Sequence, residues 1–118
     1  MNADQIVAHR TVLERLPTPV VFDHLARIPQ PAGIHREAFG IVTALMRQGK
    51  AFVKLSGAYM DTATGAPEYA DVSTVARAFV DAAPSQVVWG SDWPHPTEKQ
   101  KPDDAVLFDL LKRWAPDD

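Results

Sequence analysis

Residues Gln86–His95 read QVVWGSDWPH. The apolar part is short, β-branched and aromatic, which suits a buried strand better than a helix. It gives way at once to Ser91, Asp92 and His95. In parallel α/β folds, ligand sites form at the carboxyl ends of strands. A run that is apolar and then abruptly polar therefore speaks about fold and site together.

Two further runs have the same form. PVVFD (Pro19–Asp23) is followed by His24, and AFVKL (Ala51–Leu55) by Ser56 and Gly57. Between and around them lie amphipathic stretches with helical spacing. The first spans about Ala3 to Leu16 and carries Ile6, Val12, Leu13 and Leu16, with Asn2 and Gln5 placed for a reciprocal N-terminal cap. The second spans about Ile34 to Gln48 and is stopped by Gly49. The third is the cleanest: Asp71 as cap, Val72, Val75, Ala76, Phe79 and Val80 as one stripe, and Pro84 as terminator. The fourth follows Pro102, with Asp103 and Asp104 at its positive end and Leu107, Leu110, Leu111 and Trp114 on one side.

The order α-β-α-β-α-β-α predicts an α/β fold with parallel strands covered by helices. Three strands are few. A complete (β/α)8 barrel takes roughly 250 residues, and this sequence has 118. The expected architecture is a single unit over residues 1–118, a partial (β/α)8 barrel of about three strands with flanking helices. A flavodoxin-like open sheet fits less well, because no phosphate-binding glycine loop is present.

Composition removes several function classes. There is no cysteine, so disulfides, thiol catalysis and Cys-based zinc sites are absent. Net charge is −3 and the basic residues are scattered, which argues against nucleic acid and against a basic membrane helix. MNADQIVAHR has no apolar core after a basic start, so no secretory leader is read there and a cytoplasmic location is expected.

Strand alternation nominates site residues. Taken from the strand starts, it puts His24 with Phe22, Lys54 and Ser56 with Phe52, and Asp92 with Gly90, so that His24, Lys54 and Asp92 meet in one layer. An imidazole, an ammonium and a carboxylate together can bind an anion and activate water. A lysine in an apolar strand also needs a partner. Asp23 falls on the opposite face, in a structural role. His95, in a Pro-flanked loop, reads as a surface residue, and Asp92 has the ordinary alternative of a turn residue. The segment 59–70, with Tyr59 and Tyr69, is the longest stretch without predicted structure and is placed to shape a pocket. Lys54, Ser56, Tyr59 and His95 are the candidate substrate contacts. His24 and Asp92 give two metal-ligand atoms, one short of the usual three protein ligands of catalytic zinc.

The segments VVFDHLARIPQPAG (Val20–Gly33), FVKLSGAY (Phe52–Tyr59), YADV (Tyr69–Val72), VVWGSDWPHP (Val87–Pro96) and PDDAVLFDLLKRWAPD (Pro102–Asp117) together resemble the amidohydrolase superfamily, and within it the amidohydrolase-related lactonases. The resemblance implies a distorted (β/α)8 barrel whose last three strands lie here. It implies attack of water on a lactone- or amide-type carbonyl of a small, carboxylated molecule. It casts Asp92 as the base and His24 as substrate polariser, or as metal ligand with Asp92 in members that use one divalent ion such as zinc. Lactonase-like members use none. The first-strand HxH motif of that family is not found in this sequence, and Met60 stands where many relatives carry arginine. The resemblance thus makes the chain a C-terminal portion, inefficient alone, whose partner is a second copy or a complementing N-terminal half. The alternative is a non-catalytic half-barrel module that self-associates through its open sheet edges.

Overall fold

The structure is a computed structural model and describes residues 1–117. The elements follow as α1 (Ala3–Ala8), α2 (Arg10–Arg15), β1 (Val20–Phe22), α3 (Glu37–Arg47), β2 (Ala51–Leu55), α4 (Ala70–Ala82), β3 (Val87–Trp89) and α5 (Asp104–Trp114). The three strands form one parallel sheet in the order β1-β2-β3. Among the described residues, no helix is long and apolar enough to cross a membrane.

The sheet has two unlike faces. Phe22, Ala51, Val53 and Leu55 are buried in the core with the helices. Val21, beside Phe52, and Val88, beside Lys54, project from the other face, where Val21 is 60% and Val88 45% exposed. The helices cover one side only. Their stripes are the expected ones: Val72, Val75, Ala76, Phe79 and Val80 of α4 are all buried, and Phe79 packs against Phe39 of α3 with ring centroids 4.8 Å apart. On α5, Trp114 is buried and donates its indole N–H to Ser73 Oγ at 2.9 Å, so a large apolar body enters the core with its polar atom satisfied.

Several boundaries differ from the sequence reading. The stretch Ala3–Leu16 is two short helices that meet at His9, whose ψ of 14° departs from the helical value. The bend turns Leu13 into the core and leaves Val12 exposed. The Asn2–Gln5 cap is formed reciprocally, at 3.0 and 2.9 Å. Residues 33–35 make a separate 3-10 turn, so α3 begins at Glu37. The cap of α4 is Tyr69, at φ 42°, and not Asp71.

Asp71 has a different task. Its carboxylate accepts hydrogen bonds from Thr62 Oγ1 at 2.6 Å, Ala63 N at 2.6 Å, Thr64 Oγ1 at 2.8 Å and Val72 N at 2.8 Å. It pins the 59–70 loop onto the start of α4. Burial pushes the Asp71 carboxyl up, but these bonds outweigh it and hold the group well below the ordinary carboxylate range. A carboxyl depressed in the folded state adds stability above its ordinary pKa and loses it as pH falls toward the folded value. Urea unfolding should therefore show stability declining below about pH 4. The Asp71→Asn variant should be weaker at neutral pH by roughly 1.5–3 kcal/mol, with a flatter acid limb. A variant with the parent's acid limb would remove Asp71 from this role.

Candidate active site

The carboxyl ends of the three strands bring Asp92, Tyr59, His24, Ser56 and His95 together. Asp92 follows β3 at φ 63°, a left-handed backbone that non-glycine residues rarely adopt. Its Oδ2 accepts the Tyr59 hydroxyl hydrogen at 2.7 Å. Its Oδ1 lies 3.7 Å from His24 Nε2, and both side chains are largely shielded from water. His24 Nδ1 shares a hydrogen bond of 2.9 Å with Ser56 Oγ. Burial pushes the Tyr59 phenol well above its ordinary pKa, and the hydrogen bond to Asp92 adds to this, so Tyr59 remains a donor at any physiological pH.

His24 reaches this place by a route that alternation does not describe. The observed register puts Val21, Phe52, Lys54 and Val88 on one face, so Phe22 points into the core, and His24 would follow it if β1 continued. The strand stops instead. Residues His24, Leu25, Ala26 and Arg27 take φ of 52°, 53°, 56° and 51° in succession. This left-handed turn swings the imidazole across to Asp92. Such positions cost on the order of 1–3 kcal/mol each and persist only where surrounding structure holds them. One holding contact is the two-pronged pair of Arg27 with Asp61, at 2.6 and 3.2 Å.

Of the three residues expected to meet, His24 and Asp92 do so, and the expected place of Asp23 is corrected. Lys54 Nζ lies 3.4 Å from Asp23 Oδ1, so Asp23 faces Lys54 and is its counter-ion rather than a residue of the opposite face. The surface reading of His95 is corrected too. Its side chain is 2% exposed, hydrogen-bonded through Nδ1 to Tyr59 Oη and through Nε2 to Asp104 Oδ1, both at 2.9 Å. Two residues of the site escaped the sequence reading. Asp104 passes there as an ordinary charge at a helix start, and Asp61 as a polar loop residue. Only the fold brings either near its histidine or arginine.

A metal does not fit this set as it stands. Among the described residues, no group of three or more His, Asp or Glu side chains could hold an ion. Asp92 Oδ2 is engaged by Tyr59 and His24 Nδ1 by Ser56, which leaves one atom each. A metal here would need further ligands from other residues.

The amidohydrolase family model matches residues 1–118, the whole chain. The chain belongs to the amidohydrolase family. It is 38% identical to a 4-sulfomuconolactone hydrolase of Hydrogenophaga intermedia over 118 residues, covering 98% of this chain and 38% of that protein. It is 36% identical to a 2-pyrone-4,6-dicarboxylate hydrolase of Comamonas testosteroni over 110 residues, covering 86% of this chain and 36% of that one. A crystal structure from Agrobacterium tumefaciens, in its apo form, superposes with a TM-score of 0.88 at 28% identity, covering all of this chain and 42% of that one. The amidohydrolase chain thus spans 34–41% of the length of the curated relatives it matches. Its three parallel strands and flanking helices are an arc of the family's (β/α)8 barrel.

The His24–Ser56 contact depends on the glycine between β2 and Tyr59. Gly57 has φ +62°, and a Cβ there would lie 3.0 Å from His24 Nδ1 and 3.1 Å from Met60 Sδ. Gly57→Ala should cost about 1 kcal/mol or more in chemical denaturation. It should also shift the His24 ring signals in an NMR spectrum. An alanine variant with the parent's stability and ring signals would contradict this packing.

Proposed function

We propose that this chain carries the water-activating wall of a lactone-hydrolase site, for a small lactone bearing an anionic group. The observation that carries the reading is the pair of unlike environments on the Asp92 carboxylate. Oδ2 is fixed by the Tyr59 hydroxyl, while Oδ1 accepts no hydrogen bond from the described residues and faces His24 at 3.7 Å. A carboxylate held at one oxygen and available at the other is suited to take a proton from water. The names of the two curated relatives, one a sulfonated lactone hydrolase and one a pyrone dicarboxylate hydrolase, support the substrate class.

In this reading Asp92 Oδ1 removes a proton as the water oxygen bonds to the lactone carbonyl carbon. His24 stabilises the negative charge that develops on the carbonyl oxygen. The ring C–O bond then breaks, and the proton taken up by Asp92 passes to the departing alkoxide. The products are a hydroxyl and a carboxylate, with one proton released to solvent. Arg27 and Lys54 supply positive charge at the same strand ends for the anionic substituent. Arg27 and His24 line a cavity of about 380 Å³ with Asp23, Val21 and Gln5. Strands beyond the three described would supply the rest of the barrel wall.

The test is acid release at constant pH from a carboxylated or sulfonated lactone. It compares the chain alone with the chain complemented by the remaining barrel strands of a curated relative. Ring opening is expected from the complemented form, and Asp92→Asn should slow it about 10²- to 10⁴-fold. A variant as fast as the parent would exclude Asp92 as the base.

A further inference from the structure

Behind Asp92 runs a chain of hydrogen bonds that continues past Tyr59 to His95 and Asp104. Tyr59 Oη contacts Asp92 Oδ2 at 2.7 Å and His95 Nδ1 at 2.9 Å, and His95 Nε2 contacts Asp104 Oδ1 at 2.9 Å. The two rings meet edge to face, with centroids 5.5 Å apart and planes at 84°. The middle of the chain is closed to water, His95 being 2% exposed, whereas its far end is open, Asp104 being 46% exposed. Four residues from three different segments are thus joined in a line: the loop after β2, the turn after β3 and the first turn of α5.

Three hydrogen bonds require three hydrogens. Ionised carboxylates at the two ends supply none. The phenol supplies one, and a neutral imidazole supplies one. The line is one hydrogen short unless a third is held somewhere along it. Asp104 is half open to water in the first turn of α5, where the helix dipole favours the carboxylate. Asp92, as the base of the proposed step, is ionised, and it faces the imidazole of His24 at 3.7 Å rather than a second carboxylate. The imidazole is the member with an acceptor at each end, the Tyr59 oxygen on one side and the Asp104 carboxylate on the other.

We infer that His95 carries hydrogen on both ring nitrogens and acts, with Asp104 behind it, as a positioning residue that aims the Tyr59 hydroxyl at Asp92 Oδ2. This rests on the reading of Asp92 as the base. The direction of the bonds follows from the ring. Once Nδ1–H donates into the Tyr59 oxygen, the single phenolic hydrogen has no acceptor on that side and goes to Asp92. Were Nδ1 bare, it would itself accept, and the phenolic hydrogen would be divided between His95 and Asp92. The doubly protonated ring therefore acts as a one-way element. It fixes Asp92 Oδ2 and leaves Oδ1 as the atom that meets water.

Other groups around the ring fit this arrangement. Lys101 Nζ donates to the His95 backbone carbonyl at 2.7 Å and clamps the turn, without touching the ring nitrogens. The His95 amide donates to the Asp92 carbonyl at 2.7 Å, so base and histidine are also tied through the main chain. Glu98 and Asp104 both add negative field at Tyr59, which suits a positive ring beside it.

The test reads hydrogens directly, on the 118-residue chain, by nitrogen-edited NMR of ring N–H groups at neutral pH. Two slowly exchanging ring N–H signals from His95 are expected. Tyr59→Phe should abolish protection of the Nδ1 hydrogen and keep that of Nε2. Asp104→Asn lies at a half-exposed position and should leave the backbone amide spectrum in place. It should remove one of the two ring signals and move the Tyr59 ring-carbon signal next to the hydroxyl. A residue with a merely structural role would leave that carbon unmoved. A single ring N–H in the parent chain would overturn the inference, as would an Nδ1 hydrogen equally protected in Tyr59→Phe. Because no turnover is needed, this outcome is separable from the hydrolysis reading, which stands or falls on the Asp92→Asn rate.

Discussion

The site depends on the pairing of β2 with a parallel neighbour on each side. Val53 is the shared reference, opposite Phe22 of β1 and Val87 of β3. This register sets Phe22, the last residue of β1, level with Val87, the first of β3, and ends β2 and β3 together at Leu55 and Trp89; the turn at His24, the loop at Ser56–Tyr59 and the turn at Asp92–His95 all leave the same end of the sheet. Parallel strands cannot be joined by tight hairpins, and each connection must cross back outside the sheet. The helices that make these crossings cover one face. They leave Val21, Phe52, Lys54 and Val88 on the other, where a complete barrel would have its interior.

Within that frame the loops are tied by charge and hydrogen bonding as well as by apolar residues such as Leu25, Ile28 and Ala58 in the core. Asp71 ties residues 62–64 to α4, Arg27 ties the turn after β1 to Asp61, and His95 ties the turn after β3 to α5. The Arg27 link joins positions 34 apart in sequence, and the other two close short loops of nine positions or fewer. Their combined effect is to hold left-handed backbone at His24–Arg27, Asp92 and His95, which local preference alone would not select. Asp92 and His24 are set by loops stapled to a rigid sheet, in keeping with how sites are built on parallel α/β folds.

The helices and strands were legible because their apolar periods are strong. The α4 stripe and the β2 run both stand where spacing puts them. The convergence of His24 and Asp92 was legible in outcome but not in mechanism. Alternation assumes an extended chain, and no residue type in HLAR announces four left-handed residues in a row, since none is glycine. The partner of Lys54 was missed for the same reason: an error of one position in β1 exchanges Asp23 and His24 between faces. His95 was misread because a Pro-flanked turn ordinarily lies on the surface. Its burial comes from Tyr59 and Asp104, which sequence separation hides.

The run from His24 to Arg27 also bears on how such a chain can drift through generations of mutation. β-Branched side chains tolerate the left-handed region poorly. Valine, isoleucine and threonine are therefore disfavoured at four consecutive positions, whatever the polarity or size their surroundings would accept. Leu25 and Ala26 sit in the core and look freely exchangeable for other apolar residues, yet the backbone disfavours valine and isoleucine there. The neutral paths open to this segment are narrower than its burial suggests, and the few that remain pass through glycine, asparagine and unbranched side chains.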